Sequence, residues 1–467
     1  MSEHRDGLPV PARYHAVAVI VLSITMSALD GTIVNLALPG IAHEMRASAA
    51  SSIWIISAYQ LAALTLLLPF AAMGDRLGYR RVYLTGVAIF TLASVACSLA
   101  KSLPMLVCAR GLQGAGAAGL MAVNGALLRL TYPKRLFGRG VAINSAVIAA
   151  ASAAGPSVAA AVLSVASWPW LFAINIPLGS LVFALGWRAL PANPPRPPNR
   201  ERMATADVVL NALMFGLVLL GAQSLGGSVT GFSLSRGMAF PVASIGAGAL
   251  VGIVYLRRQT RLEVPLFPVD LLRVAIFRLS ICTSIASFSA QTMAYVALPF
   301  QLLGPWQRSP AEAGLLMSVW PLAVVVFAPV AGRLIGRYPG GLLGGIGLAA
   351  SAAGLGLLAA LPADPATADI AWRMAVCGAG FGLFQSPNNH TILTSAPSHR
   401  SGAAGGMLGT ARLTGQTLGG ALLMLVFSIE PPRGGHGPVL ALAVAACFAA
   451  AAAVISSLRL RHSSVLW

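Results

Sequence analysis

Three charged side chains stand well inside long apolar runs of the sequence. They are Asp30 in "SALDGTIVNLALPGI" (27–41), Arg110 at the head of "RGLQGAGAAGLM", and Arg412 in "GMLGTARLTGQTLGGAL". Desolvation disfavours the charged form of a carboxyl, so an acid held out of water can trade a proton for another partner near neutral pH. An arginine cannot readily lose its proton. It can bias a nearby acid or help relay water-borne protons. The chemistry on offer is therefore proton exchange at Asp30, tuned by Arg110. Structural readings stand beside this one, because a buried polar group needs only to be satisfied. Asp30 could bond Thr32 or backbone, and Arg110 could tie its helix to carbonyls of the first apolar run. Arg412, one turn from Gln416, could serve packing, a gate or substrate.

The elements that must carry these residues are hydrophobic. The 467 residues are 57% hydrophobic and 9% charged, with mean hydropathy +0.78, where a soluble domain carries about 25% charged residues. Fourteen apolar runs are each long enough for a bilayer core of roughly 30 Å. They cover about 14–38, 52–73, 82–100, 105–128, 140–165, 169–188, 207–226, 238–256, 279–303, 311–332, 341–361, 372–394, 402–428 and 438–458. The expected fold class is an all-α integral membrane protein with fourteen transmembrane helices. Asp30 lies sixteen residues beyond Tyr14, about 24 Å along a helix, which places it deep.

With both termini on the cytoplasmic side, 23 of the 31 Lys and Arg residues fall on that side. Six fall outside: Arg46, Lys101, Arg236, Arg308, Arg373 and Arg433. This positive-inside bias sets the expected orientation. It also accounts for the net charge of +18 as topology and contact with anionic lipid, and no nucleic-acid partner is expected. The first run is too long for a signal-peptide core and is expected to be retained. The five cysteines, all within runs, are expected to be free and buried. His15, His43, His390, His399 and His436 are dispersed, which argues against a metal site.

Two polar interruptions divide the chain. One is "PANPPRPPNRERMA" from Pro191, read as an extended spacer rather than a docking motif. The other runs from Arg257 to Arg278. The expected organisation is a six-helix bundle (1–190), a linker (191–206), a two-helix hairpin (207–256), a basic linker (257–278) and a second six-helix bundle (279–467). A faint repeat supports duplication: "MGDRLGYRR" follows the second run and "AGRLIGRYPG" the tenth, where Asp75 has no acidic counterpart. Duplicated bundles are the architecture of large secondary transporters.

The motifs carry a resemblance. The loop Gly74, Asp75, Arg76, Gly78, Arg80 and Arg81 resembles the hallmark cytoplasmic loop of the major facilitator superfamily. "LDGTIVNLALPGI", "WIISAYQLAALTLLLP" from Trp54, "RGLQGAGAAGLM", "AAGPSVAAAV" from Ala153, "WPWLFAINIPLG" from Trp168 and "GMLGTARLTGQTLGGAL" resemble, in order, signatures of its fourteen-span drug–proton antiporters. Ala71 departs from the loop's usual leading glycine, and Tyr79 from a usual basic residue. Ala159 and Ala160 replace a usual glycine pair after Gly155 and Pro156, yet are still small enough for close packing.

The resemblance implies a proton-coupled exporter of small amphipathic compounds. Asp30 and Arg110 would couple protons, the loop would switch conformation, and Gly155-Pro156 would form the fifth-span antiporter motif. Candidate cavity residues are Asn35, Tyr59, Gln60, Gln113, Asn124, Gln291, Tyr295, Trp320, Gln385, Asn388, Asn389 and Arg412. Since Asp30 is the one clear cavity acid, with Glu312 and Glu430 near outer span ends, a neutral or monocationic cargo is expected. "GAGAAG" after Gly114 follows no strand and lacks a trailing Lys-Ser or Lys-Thr, so it is no phosphate loop. With no ATPase motif, an ion gradient is the expected energy source, and neither enzymatic activity nor a cofactor is expected. A monomer is expected. A carrier dedicated to one metabolite, and a membrane scaffold or sensor on the same fold, are the alternative readings.

Overall fold

The computed structural model describes residues 7–192, 205–226, 239–262, 265–397 and 400–463. Among them, fourteen long helices follow one another. The first six are α1 (Ala12–Glu44), α2 (Trp54–Leu77), α3 (Tyr79–Ser98), α4 (Leu103–Thr131), α5 (Phe137–Val165) and α6 (Asn175–Ala189). Next come α7 (Thr205–Ser224) and α8 (Ala239–Gln259). The last six are α9 (Ala275–Leu303), α10 (Pro310–Leu334), α11 (Gly340–Ala359), α12 (Thr367–Thr394), α13 (Ser401–Ile429) and α14 (His436–Leu458). Helix is the form these runs must take, because hydrocarbon offers no partner to an open backbone group.

Thirteen spans are long and apolar enough to cross a membrane on length and composition. The remaining helix, α12, has 28 residues but carries Ser386, Asn388, Asn389 and His390 in its second half, which dilutes its apolar character. Prolines sit inside several helices, among them Pro39 and Pro69 in the first half and Pro299 and Pro329 in the second. The expected linker lies outside the described residues from 193 to 204, as do 227–238 of the hairpin turn and 263–264 of the second linker.

Packing repeats between α1–α6 and α9–α14. In the first group α4 packs on α2 and α3, and α1 on α5 and α6; in the second, α12 packs on α10 and α11, and α9 on α13 and α14. Two close approaches recur in detail. Gly114 of α4 lies against the Tyr59 carbonyl of α2, as Gly378 of α12 lies against the Trp320 carbonyl of α10. Gly116 meets Gly86 of α3, as Gly380 meets Gly347 of α11. A Cβ at these positions would strike backbone. Without a hydrophobic force between helices in lipid, such small-residue contacts supply the packing. In this register Met374 and Cys377 occupy the places of Arg110 and Gln113, so the second half holds no equivalent arginine.

The two groups meet along α5–α10 and α2–α13. Ser157 and Ser318 pair through their hydroxyls at 2.7 Å across the first seam. In the second, Leu413 joins Ala63, Leu64 and Leu67, with Leu219 of α7 added from the hairpin. At the end of the molecule away from the termini, one apolar cluster spans both groups, including Trp54, Leu298, Leu302, Ala313, Leu423 and Phe427. That end is closed.

All five cysteines are free, but only Cys97 and Cys377 are buried; Cys108, Cys282 and Cys447 are exposed. The expectation of five buried thiols is corrected here. A small apolar side chain on an outward-facing helix position meets lipid rather than water, so it has no need of burial in protein.

Candidate functional site

Asp30 is 0% exposed on α1. Arg110 Nη1 of α4 donates to its Oδ2 at 2.7 Å. Gln113 Nε2 of α4 and Asn175 Nδ2 of α6 donate to its Oδ1 at 2.9 and 2.8 Å. Arg110 is itself 1% exposed. Its Nε donates to the Ile55 carbonyl of α2 at 3.0 Å, and Nη1 also reaches Gln113 Oε1 at 2.5 Å. Its guanidinium lies over the rings of Tyr59, at 4.4 Å, and Phe172, at 5.6 Å. Gln113 Nε2 extends the network to Ser94 Oγ of α3 at 2.9 Å. One ion pair thus joins α1, α2, α3, α4 and α6.

Buried charges survive only when paired and hydrogen-bonded, and each charged group here has several partners. Thr32 turns back to the Leu29 carbonyl of its own helix at 3.1 Å, so it is not what holds Asp30. The carbonyl tied by Arg110 belongs to α2, not to α1 as the structural reading had it. Gln113, a cavity candidate from the sequence, is part of the ion-pair network.

Asn388, another cavity candidate, is likewise held between helices. It is fully buried, accepting from Arg459 Nη1 at 2.8 Å and donating to Ser284 Oγ at 2.8 Å. Arg459 also reaches Ser280 Oγ at 2.9 Å. This knot joins α9 and α12 to the end of α14. Arg459 looks like loop charge in the sequence, since it follows the last apolar run directly. Another buried polar group appears on the hairpin: Asp207 accepts from Arg258 Nε at 2.6 Å and Gln259 Nε2 at 3.0 Å.

The other candidates differ in their surroundings. Tyr59 is 5% exposed, with its hydroxyl 3.5 Å from Ser27 Oγ. Asn35 Oδ1, Gln60 Oε1 and Trp320 Nε1 are buried and lack a hydrogen-bond partner among the described residues, and Trp320 stacks edge-to-face on Tyr295 at 5.1 Å. Gln291, Gln385 and Asn389 are half-buried. Asn124 joins α4 to α5 through Asn144 at 3.3 Å. Arg412 is half-buried on α13, 5.7 Å from the Phe288 ring of α9. Glu312, near the end away from the termini, caps its own helix with Ser309.

Between α2 and α3, Gly78 takes φ +101° and makes the turn. The Tyr79 hydroxyl donates to Asp75 Oδ1 at 2.6 Å, so the residue that departs from the usual basic type still supplies a donor. Gly155 of α5 lets Thr32 of α1 approach, and the Pro156 carbonyl meets Gly314 of α10. The fifth-helix motif therefore sits where α1, α5 and α10 meet. A groove of about 540 Å³ opens between α2 and α7, lined by residues such as Ala58, Leu61, Val209 and Leu213 with no charged side chain. It is apart from the ion pair.

Two repeated groups of spanning helices, with a buried ion pair inside the first, describe a membrane transporter rather than an enzyme. The Major Facilitator Superfamily model matches residues 20–420, and the chain belongs to that superfamily. It is 51% identical over 455 residues to the uncharacterized transporter YebQ of Escherichia coli K12, covering 97% of each chain. It is 29% identical to the riboflavin transporter RibZ of Clostridioides difficile, covering 88% of this chain and 87% of RibZ. It is 30% identical to the multidrug efflux pump LfrA of Mycolicibacterium smegmatis, covering 92% of this chain and 84% of LfrA. A POT family transporter solved with a thioalcohol-conjugated peptide superposes with TM-score 0.72 at 16% identity, covering 96% of both chains, which speaks to the fold alone.

Proposed function

We propose that the protein is a proton-coupled secondary exporter of small amphipathic compounds, working by alternating access in a bacterial inner membrane with both termini cytoplasmic. It acts as a monomer, and drug or toxic-compound efflux is its role. The observation that carries this reading is the Asp30–Arg110 pair at 2.7 Å, sealed from water and tied to five helices. A proton on Asp30 removes the attraction to Arg110 and frees α1 from α4. Arg110 stays anchored by the Ile55 carbonyl and Gln113, so the change falls on α1 and, through Asn175, on α6. Helix α1 packs on α5, which forms the seam with α10. Protonation thereby acts on the surface about which the halves rock. The loop Gly74–Arg81 lies at the end bearing the termini and fits the switch rather than the cargo site.

The similarity to LfrA supports efflux. The similarity to RibZ favours a second reading, a carrier for one metabolite, which a narrow transport profile would reveal. The test is uptake of a panel of aromatic amphiphiles into everted membrane vesicles with an imposed inward-acid gradient. Accumulation that a protonophore abolishes is expected. Accumulation indifferent to the protonophore would refute proton coupling.

A further inference from the structure

Arg412 stands apart from every other charge in the membrane interior. It is the twelfth residue of α13 (Ser401–Ile429), about 16 Å along the helix from its first residue. It lies between the two halves. Phe288 of α9 is on one side at 5.7 Å, and α2 packs on α13 on the other. Next to it, Leu413 packs on Ala63, Leu64 and Leu67 of α2. Among the described residues no hydrogen bond or ion pair holds its guanidinium, and part of the side chain remains accessible.

Among the described residues no carboxylate is available to it. Asp30 is consumed by Arg110, Gln113 and Asn175. Asp207 serves Arg258 and Gln259 on the hairpin. Glu312 caps α10 at the end away from the termini, and Glu430 follows the last residue of α13. The interior between the halves therefore carries one uncompensated positive charge. An arginine is not relieved of that charge by deprotonation, and a cation at membrane depth calls for a partner. Of the neutral or monocationic cargo expected, a monocation would meet repulsion here and find no free acid among the described residues.

We propose that Arg412 is the anion-binding subsite of the transport cavity. The cargo is then an aromatic amphiphile bearing one anionic head, such as a carboxylate, sulfonate or phosphate. The head pairs with the guanidinium, which can present two parallel N–H donors to such a group. The apolar body lies along Tyr59 and Phe288. This rests on the transporter reading above and names its substrate class.

The test uses three probes of one shape and permanent charge state: naphthalene-2-sulfonate, naphthalene-2-sulfonamide and 2-naphthyltrimethylammonium. Their binding to the purified full-length protein in detergent needs no gradient, so the result is separable from proton coupling. If flux fails but the charge preference holds, the exporter reading falls and the subsite stands. The wild type should bind the sulfonate at least tenfold more tightly than either other probe. Arg412→Gln should erase the preference while eluting as folded protein, and Arg412→Lys should keep a reduced preference. The proposal is overturned if the wild type binds the three probes alike, prefers the cation or binds no sulfonate. It is equally overturned if folded Arg412→Gln keeps the sulfonate preference. Should Arg412→Gln fail to fold, the wild-type comparison and Arg412→Lys decide.

Discussion

Removing Arg110 tests whether the ion pair is held as tightly as its geometry indicates. Arg110→Gln deletes the 2.7 Å bond to Asp30 and the 3.0 Å bond to the Ile55 carbonyl, together with the stacking on Tyr59 and Phe172. Asp30 would keep only the two amide donors, Gln113 and Asn175, and would remain a buried charge without a counter-charge. Breaking one side of a buried pair costs about 3–5 kcal/mol. Asp30→Asn should cost a similar amount, because it strands the guanidinium instead. In the double variant Asp30→Asn with Arg110→Gln, both charges are gone and the amides can bond one another. Its loss should fall short of the sum of the single losses by about 2 kcal/mol, within the range found for contacting residues. Equilibrium unfolding in mixed micelles, run on all four proteins, measures that coupling. Additive losses would refute the reasoning, since they would mean that the two side chains do not depend on each other.

Asp75→Asn should slow transport at saturating substrate with little change in equilibrium binding, because the residue lies at the terminal end, away from the ion pair; a large affinity loss at normal maximal rate would count against this. Arg459→Met leaves Asn388 Oδ1 and Ser280 Oγ without their donor, and should lower unfolding free energy by about 1–3 kcal/mol while leaving probe binding at Arg412 unchanged; a shift in binding would contradict the separation of the two sites. Single cysteines placed in a cysteine-free background should be labelled from outside intact cells at 226–236 but not at 191–204, and labelling of the latter would reverse the orientation.

Much of the helical framework was legible because its cause is local. An apolar run of bilayer length has few alternatives to helix, and fourteen such runs give the fourteen helices, with α12 recognisable despite its polar second half. Asp30 and Arg110 were legible as candidates because a charge in an apolar run is rare. Their pairing was not legible, since it depends on how α1 and α4 turn toward one another. Asn388 shows the limit plainly. A polar residue on a spanning helix looks the same in sequence whether it faces a cavity or a neighbouring helix, and here it faces Arg459 and Ser284. Arg459 was absorbed into the loop charge because nothing in its neighbourhood signals that α9 and α12 close over it. The neutral or monocationic cargo expected from Asp30 differs from the anionic class proposed at Arg412 for a related reason: the sequence alone does not show that Arg110 claims Asp30.

The central claim, that protonation of Asp30 couples the gradient to transport, is tested most directly by Asp30→Asn in proteoliposomes with two assays on the same preparation. One measures accumulation of a transported probe driven by an imposed pH gradient. The other measures exchange of that probe across the membrane with no gradient. Asp30→Asn should lose gradient-driven accumulation while keeping measurable exchange, because the amide fits the site but cannot titrate. Accumulation at the wild-type rate, still following the pH gradient, would contradict the account and leave Asp30 a purely structural residue.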